Sequence, residues 1–179
     1  MGGQDKGLVS LQGQPMIGHV IAALAPQTGN LIINANRHLE AYRAFGYPVI
    51  SDELEGFQGP LAGILAALDH IDSHYLLCVP CDVPGLPMDL GKRLALALQE
   101  QQGELAVVHD GEKLQPAFAL IPVELREDLR AYVEAGERKL RSWCKSHRLA
   151  LADYADKPAC FDNINDETDL QQFQPQLMT

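Results

Sequence analysis

Short apolar runs alternate with segments of helical periodicity along most of the chain, and this alternation restricts the fold more than any other feature. The apolar runs are rich in Leu, Ile and Val, and the segments between them carry apolar residues at spacings of three and four. This order is typical of β-α-β units, in which helices cover both faces of a sheet. We therefore predict an α/β fold: a three-layer sandwich around a mostly parallel, Rossmann-like sheet.

The apolar runs without helical spacing are the predicted strands. They cover residues 8–11, 31–35, 48–50, 75–79, 105–109, 115–121 and 149–152. The run 75–79 is apolar throughout, which is typical of a central strand buried on both faces. Asp110-Gly111 lies between two of the runs and is a strong short-range hairpin signal.

Helices are predicted between these strands, and several carry signals for their ends. They cover about 15–24, 39–45, 60–68, 88–99, 124–135 and 140–147, with a last helix ending at Phe173. Pro15 and Pro60 suit the first turn of a helix, because proline lacks the N–H that would be unpaired there. Gly46 suits the residue just after a helix end.

The length and charge of the chain limit its class. Its 179 residues fit one domain, spanning 1–179, and 14 Lys+Arg against 24 Asp+Glu give a net charge of −10. A field of that sign repels nucleic acid and acidic membranes, so we expect neither as a partner. An apolar run of about 20 residues and a signal-peptide core are both missing from the sequence, which predicts a cytoplasmic protein.

Cys78 and Cys81 form a C-x-x-C motif downstream of His70 and His74, so a zinc site has to be considered. The spacing argues against it. An extended run advances about 3.3 Å per residue, which would carry Cys78 about 13 Å from His74, whereas zinc ligands lie ~2.0–2.3 Å from one metal. We interpret the cysteines, with Cys144 and Cys160, as free thiols.

Polar residues close several of the predicted strands. They are Asn34, Asp52, Asp82, Asn163 and Asn165. In an open α/β sheet the ligand binds outside the carboxyl ends of the strands, so these positions are candidates for a site. Asp82 follows the most apolar run, where its carboxylate could bind Mg²⁺ together with substrate phosphates. Asp82 as a simple cap of the turn before Pro84 is the alternative, and the spacing alone leaves both open.

The first residues form a second candidate. Gly2 and Gly3 let backbone N–H groups approach phosphate oxygens, and Lys6 adds a positive charge. An N-terminal Gly-Gly before a lysine is common and often disordered, so the segment indicates a phosphate site only together with the strand-end residues.

Taken as a set, these motifs resemble the molybdenum cofactor guanylyltransferase family, whose loop reads L-A-G-G-x-x-x-R-M-G-G-x-D-K. The match begins at Met1 and continues in order across essentially the whole chain. The matching blocks are Met1-Gly2-Gly3-Gln4-Asp5-Lys6, Gln14-Pro15, Asn34-Ala35-Asn36-Arg37-His38, Ser51-Asp52, Gly59-Pro60-Leu61-Ala62-Gly63, Pro80-Cys81-Asp82-Val83-Pro84, His109-Asp110-Gly111-Glu112, Ala135-Gly136-Glu137-Arg138 and Asn163-Ile164-Asn165.

The resemblance implies a fold like that of the nucleotide-diphospho-sugar transferases. It also implies transfer of GMP from GTP to the phosphate of the molybdopterin cofactor, with Mg²⁺ as cofactor and release of pyrophosphate. Lys6 and Asp82 are the implied catalytic residues, and Asp82 the implied metal ligand. The implied nucleotide-binding residues are Gly3, Lys6, Asn34, Asp52, Gly59, Gly63 and Asp82. Those on the pterin side are Asn163, Asn165 and Arg138.

Related loops occur in other nucleotidyltransferases, so alternatives remain. A cytidylyltransferase acting on the same cofactor and a sugar-phosphate nucleotidyltransferase are the nearest. A noncatalytic module that binds the cofactor and delivers it is the alternative outside the enzymes. The expected partners are GTP and the molybdopterin-type cofactor, with molybdoenzyme apo-proteins or their chaperones as later recipients.

The family's loop begins upstream of the residues that match here. A strand, the L-A-G-G segment and an arginine have no counterpart before Met1. We expect the chain to be N-terminally incomplete, because loss of a central strand would leave backbone groups unpaired on both of its neighbours.

We therefore expect the chain as written to bind GTP more weakly than a form extended through that loop, and to be weakly active or inactive. Charge-assisted hydrogen bonds contribute roughly 1.5–3 kcal/mol each, so two of them imply a difference on the order of a hundredfold. Calorimetric titration of GTP with Mg²⁺ into both forms, at a temperature where both are folded, measures it. Equal GTP affinities of the two forms would show that the short loop is sufficient for nucleotide binding.

Overall fold

The structure is a computed structural model that describes residues 5–52, 59–162 and 164 of the chain. The α-helices in these ranges are α1 Met16–Leu24, α2 Leu39–Arg43, α3 Pro60–His70, α4 Leu90–Glu100, α5 Arg126–Glu134 and α6 Leu140–Lys145. The strands are β1 Ser10–Leu11, β2 Gln14–Pro15, β3 Ile33–Asn34, β4 Val49–Ile50, β5 Tyr75–Cys78, β6 Leu105–His109, β7 Leu114–Pro122 and β8 Leu149–Asp153. None of the described helices has the length and apolar character needed to cross a membrane.

Four of the strands form the largest sheet, in the order β5-β7-β6-β8. β7 runs antiparallel to both β5 and β6, whereas β6 and β8 are parallel. It follows that β5, β6 and β8 share one direction and that β7 reverses it. The predicted α/β class is confirmed, with a mixed sheet in which one strand of these four is reversed.

The middle of this sheet, along β6 and part of β7, is buried on both faces, and successive residues of one strand show how. In β6, Ala106 and Val108 belong to a cluster with α4, whereas Leu105 and Val107 belong to a cluster with α3, α5 and α6. β7 alternates in the same way. Because strand side chains alternate between faces, one helical layer lies on each side of the sheet. This is the predicted three-layer sandwich.

A second sheet consists of β3 and β4, which pair in parallel through Ile33↔Val49 and Asn34↔Ile50. α2 connects the two strands, so they form a β-α-β unit. Ile33 packs in a cluster with Ile17 of α1 and Tyr42 of α2, whereas Ile50 packs on the cluster that contains α3. α3 contacts both β3 and β5 and therefore connects the two sheets.

The predicted helices agree with the observed ones to within a few residues at their ends, and the Asp110-Gly111 hairpin is confirmed between β6 and β7. The predicted strand 8–11 is only partly right. Residues Lys6–Leu8 form a 3₁₀ turn, and the strand begins at Ser10. Gln12 and Gly13 have positive φ angles of 53° and 85°, which close a two-residue hairpin to β2. Local turn geometry therefore places Pro15 in a strand, immediately before α1.

The prediction of a central strand over 75–79 needs a correction. Among the strands that the structure describes, β5 pairs only with β7 and lies at the edge of the four-stranded sheet. Helices contact it on both faces, but only Leu76 is buried, Leu77 and Cys78 are half-buried, and Tyr75 is 51% exposed, as expected for an edge strand. The predicted helix ending at Phe173 lies outside the described residues.

Asp110 fixes the hairpin between β6 and β7. Its Oδ1 accepts hydrogen bonds from the backbone N–H groups of Glu112 (2.9 Å) and Lys113 (2.8 Å), and its Oδ2 accepts one from the Gln115 amide (2.7 Å). Burial by itself would raise the pKa of this carboxyl group, but the hydrogen bonds to its ionised form lower the pKa below the ordinary 3.8.

The lowered pKa predicts how Asp110 contributes to stability as the pH changes. Its contribution should be complete above about pH 4 and should be lost as the pH falls through the folded-state pKa. Asp110→Ala should lower the free energy of unfolding at pH 7 by about 1–3 kcal/mol, because three donors lose their partner.

The Asp110→Asn variant is the control for charge, because its amide oxygen still accepts hydrogen bonds from the backbone but cannot titrate. Denaturant unfolding at several pH values should show that both variants lack the part of the wild-type acid sensitivity that Asp110 causes. If the difference in the free energy of unfolding between wild type and the variants stayed the same from pH 7 to pH 2, ionised Asp110 would not contribute to stability as proposed.

Candidate functional site

The first described residues lie between the two sheets. After Asp5 the chain makes the 3₁₀ turn Lys6–Leu8, in which the N–H of Leu8 donates to the carbonyl of Asp5 (3.0 Å). A side chain at Gly7 would place its Cβ 2.7 Å from the Tyr42 hydroxyl and 3.0 Å from the Cys81 sulfur. The backbone therefore passes tightly between α2 and the segment that follows β5, and glycine at this position permits the close approach.

The turn brings Lys6 to Asp82. The Lys6 ammonium lies 3.5 Å from Asp82 Oδ2, with 40% of the lysine side chain and 14% of the aspartate side chain exposed. The carbonyl of Asp82 accepts a hydrogen bond from the N–H of Ile164 (3.3 Å), which anchors the backbone after β5. The two residues predicted to be catalytic are thus adjacent, although they are 76 positions apart in the sequence.

Asp5 is held by α2 and by the loop that precedes it. The Tyr42 hydroxyl donates to Asp5 Oδ1 (2.6 Å), and Arg37 Nε lies 3.4 Å from Asp5 Oδ2. Burial of Tyr42, followed by its hydrogen bond to Asp5, raises the pKa of the phenol far above its ordinary value. Tyr42 is therefore a protonated donor throughout the neutral range.

The residues that end β3 and β4 also interact. The amide of Asn34 donates to Asp52 Oδ1 (2.9 Å), and the amide of Asn36 donates to Asp52 Oδ2 (2.7 Å). In return, the backbone N–H of Asp52 donates to Asn36 Oδ1 (2.9 Å). These three bonds fix the Asp52 carboxylate without a cation, and each of its oxygens keeps room to accept a further donor.

The start of α3 lies against this group. Gly59, at φ 138°, precedes Pro60, the first residue of α3. A Cβ at Gly63 would lie 2.7 Å from the Asn34 amide nitrogen and 3.6 Å from Asp52 Oδ1. Gly63 therefore leaves the space that the Asn34 side chain occupies, and the N-terminal turn of α3 suits the negative charge of Asp52.

The structure joins five of the ten predicted site residues in two groups, and a sixth, Gly59, precedes α3 without a described contact to either group. Lys6 is paired with Asp82, and Asn34 and Asp52 are bonded beside Gly63. The loop after β3 connects the groups, because Asn36 contacts Asp52 and the next residue, Arg37, contacts Asp5.

Four other predicted positions are not joined to these groups by the described contacts. Gly3, Asn163 and Asn165 lie outside the described residues. Arg138 lies in the turn between α5 and α6, where its guanidinium donates to the carbonyls of Glu137 (3.0 Å) and Val133 (3.4 Å). The roles of these four, like those of the other predicted site residues, stay predictions.

Sequence reasoning assigned no role to three residues of the site, Asp5, Asn36 and Tyr42. The sequence did offer a hint for Asn36: it follows Asn34 at a spacing of two, and residues at that spacing lie on one side of an extended segment. Asp5 also had one, since it precedes the predicted phosphate-binding lysine. Tyr42 had no such signal, because a tyrosine on an apolar helix face is ordinary core.

Asp82 suits a magnesium ion bound jointly with a substrate. Among the described residues, no group of three or more His, Cys, Asp or Glu side chains could hold a metal by itself. Mg²⁺ is commonly bound through one or two carboxylates together with phosphate oxygens and water. A single, partly exposed carboxylate next to a lysine fits that arrangement.

Cys81 lies within this site but does not supply a thiolate. The surrounding protein atoms, and then the negative charges of Asp82 and Asp5, raise the pKa of its thiol to about 11. At neutral pH the sulfur is protonated and a poor nucleophile. The site is therefore suited to binding and electrostatic stabilisation rather than to covalent catalysis by Cys81.

Comparison with known sequences gives a family match and close relatives. The family described as the MobA-like NTP transferase domain matches residues 1–151. A molybdenum cofactor guanylyltransferase from Shewanella sediminis is 48% identical over 172 residues, which are 96% of this chain and 88% of the relative. One from Shewanella frigidimarina is 47% identical over 177 residues, covering 99% of this chain and 90% of the relative.

Solved structures share the fold at lower identity. Molybdopterin-guanine dinucleotide biosynthesis protein A from Archaeoglobus fulgidus superposes with a TM-score of 0.77 at 20% identity, covering 95% of this chain and 89% of that one. The 2-C-methyl-D-erythritol 4-phosphate cytidylyltransferase from Thermus thermophilus superposes with a TM-score of 0.68 at 16% identity, covering 93% and 90%. Both likenesses show that the fold is shared.

The space at Gly63 gives a test of the Asn34–Asp52 group. In Gly63→Ala the new methyl group should push the Asn34 side chain away and break its bond to Asp52. The free energy of unfolding should change by less than about 1 kcal/mol, because the helix propensity gained with alanine is offset by the lost hydrogen bond. Affinity for GTP, measured by calorimetric titration, should nevertheless fall.

The matched control is Gly91→Ala in α4, where the nearest atom to a new Cβ is a Leu77 methyl carbon at an ordinary 3.4 Å. This variant should gain similar helix stability and keep wild-type GTP affinity. If Gly63→Ala also binds GTP like the wild type, the Asn34–Asp52 group does not contribute to the nucleotide site.

Proposed function

Because the chain belongs to the MobA-like NTP transferase family, we propose that it transfers GMP from GTP to the phosphate of the molybdopterin cofactor. The products are the guanine dinucleotide cofactor and pyrophosphate. Relatives near 48% identity over most of the chain are molybdenum cofactor guanylyltransferases. The observation that carries the proposal is the ion pair of Lys6 with Asp82, next to the Asn34–Asp52 group.

The nucleotide is held at two places in this proposal. The guanosine contacts Asn34 and Asp52, whose carboxylate oxygens keep capacity for further donors. The phosphates lie toward Lys6 and Gly3, where the missing side chain of glycine allows the backbone to approach the ligand. Gly59 and Gly63 shape the start of α3, and Gly63 leaves room for Asn34. A chain of net charge −10 has to attract a polyanion through such local cations, because its overall field is repulsive.

The reaction is a displacement at phosphorus. An oxygen of the pterin phosphate attacks the α-phosphorus of GTP in line, and the bond from that phosphorus to the bridging oxygen of pyrophosphate breaks. Asp82 would hold Mg²⁺, which would neutralise charge on the phosphate oxygens. The Lys6 ammonium moves from Asp82 toward the phosphates and stabilises the charge that develops on the leaving group.

The second substrate enters from the side where Arg138, Asn163 and Asn165 are proposed to act. Arg138 is a candidate for the phosphate of the pterin, because a guanidinium can bind two phosphate oxygens at once. We propose the cytoplasm as the place of the reaction, since GTP is available there and all four cysteines are free thiols. The product then passes to molybdoenzyme apo-proteins or their chaperones.

Asp82→Asn tests the catalytic assignment. The change, made in a form extended through the upstream loop, keeps the shape of the side chain and removes its charge. The protein should fold normally, whereas pyrophosphate release from GTP and the pterin cofactor should fall by orders of magnitude. The dependence on Mg²⁺ concentration should shift or disappear. Near-normal activity with unchanged Mg²⁺ dependence would mean that Asp82 only caps its turn.

The control is Asp69→Asn at the end of α3, which removes another paired carboxylate, bonded to Arg130 at 2.6 Å. This variant should retain wild-type activity.

Competition among GTP, CTP and UTP then separates guanylyl from cytidylyl or uridylyl transfer. Binding of the pterin cofactor without any pyrophosphate release by the wild type would favour a delivery module instead.

A further inference from the structure

Tyr42 combines burial with a polar contact to the site in a way that the proposed reaction does not use. Only 3% of the residue is exposed, and its ring packs among apolar side chains of α1, β3 and β4. Its hydroxyl is the exception, since it leaves the core to donate to Asp5 Oδ1 at 2.6 Å. A phenylalanine would fill the same core, so the hydroxyl serves the contact with Asp5.

The contact fixes the residue before Lys6 and the residue after it. Asp5 is bound at one oxygen by Tyr42 and approached at the other by Arg37. Gly7 passes so close to the Tyr42 hydroxyl and the Cys81 sulfur that even a Cβ would collide with both. The backbone bond from Leu8 N–H to the Asp5 carbonyl closes the turn. Lys6 thus extends from a turn whose preceding residue, Asp5, and following residue, Gly7, are both held in place.

We propose that Tyr42 is a positioning residue for nucleotide transfer: its hydroxyl holds Asp5 and thereby directs the Lys6 ammonium toward Asp82 and the phosphates. This inference rests on the proposed function for its effect on GTP, but its structural part concerns only Tyr42, Asp5 and Lys6. The ring of Tyr42 belongs to the core, and the hydroxyl belongs to the site.

Tyr42→Phe removes the hydroxyl and keeps the ring. Because a hydrogen bond to a charged group is lost, GTP affinity and kcat/KM should fall roughly tenfold or more. Tyr154→Phe is the matched control. Tyr154 is also fully buried and its hydroxyl donates to a carboxylate, Asp89 (3.2 Å), but that pair lies by α4. It should lose comparable stability and retain wild-type GTP affinity.

A double-mutant cycle separates positioning from general loss of structure. If Tyr42 acts through Lys6, Tyr42→Phe should change GTP affinity less than about twofold when Lys6 is already replaced by alanine. Calorimetric titration of the four proteins gives the coupling. Equal losses in both backgrounds would overturn the proposal and show that Tyr42 acts independently of Lys6.

A measurement without substrate keeps this inference distinct from the proposed function. Lysines are labelled by reductive ¹³C-methylation, and the Lys6 signal is assigned with Lys6→Ala. Tyr42→Phe should move this signal toward the position of freely exposed lysines, and Tyr154→Phe should not move it. An unmoved signal in Tyr42→Phe would overturn the inference even if guanylyl transfer is confirmed, whereas a moved signal would support it even if the substrate proves to be different.

Discussion

Burial of both faces in the middle of the four-stranded sheet is the constraint on which the rest of the structure depends. Each of β6 and β7 sends alternate side chains into two separate apolar clusters, and helices have to cover both. Apolar burial contributes about 25 cal/mol per Å², so these faces dominate the stability of the fold. Apolar side chains cover these faces, so the polar groups that could bind a ligand lie at the ends of strands and in the loops that follow them.

At those ends the structure satisfies its carboxylates mainly with local donors. Asp52 is bound by two amides, Asp110 by two backbone N–H groups and an amide, and Asp5 by a phenol. Within the described residues no buried side-chain N or O atom lacks a hydrogen-bond partner. In a chain of net charge −10 the carboxylates outnumber the cations, and Lys6 is one of the cations paired with a carboxylate, Asp82.

The two halves of the site are built on different parts of the fold. The Asn34–Asp52 group belongs to the parallel β3–β4 unit, whereas Asp82 follows β5 in the larger sheet. α3 touches both sheets, and Gly63 on its first turns leaves room for Asn34. The distance between the halves is bridged by the segment Asp5–Gly7, which contacts α2 on one side and Cys81 on the other.

The sequence by itself determined the layers, the helices and the main hairpin, because apolar periodicity and turn residues act over a few neighbouring positions. It also determined which residues are polar at strand ends, and its motifs identified the family. It did not determine that residues Lys6–Leu8 form a turn, that β5 lies at the edge of its described sheet, or that Tyr42 reaches Asp5. The turn is closed by a local bond between Leu8 and Asp5, but a short turn lacks the apolar periodicity by which the longer elements are predicted. The position of β5 and the contact of Tyr42 with Asp5 join positions dozens of residues apart, and they exist only once the core brings these parts of the chain together.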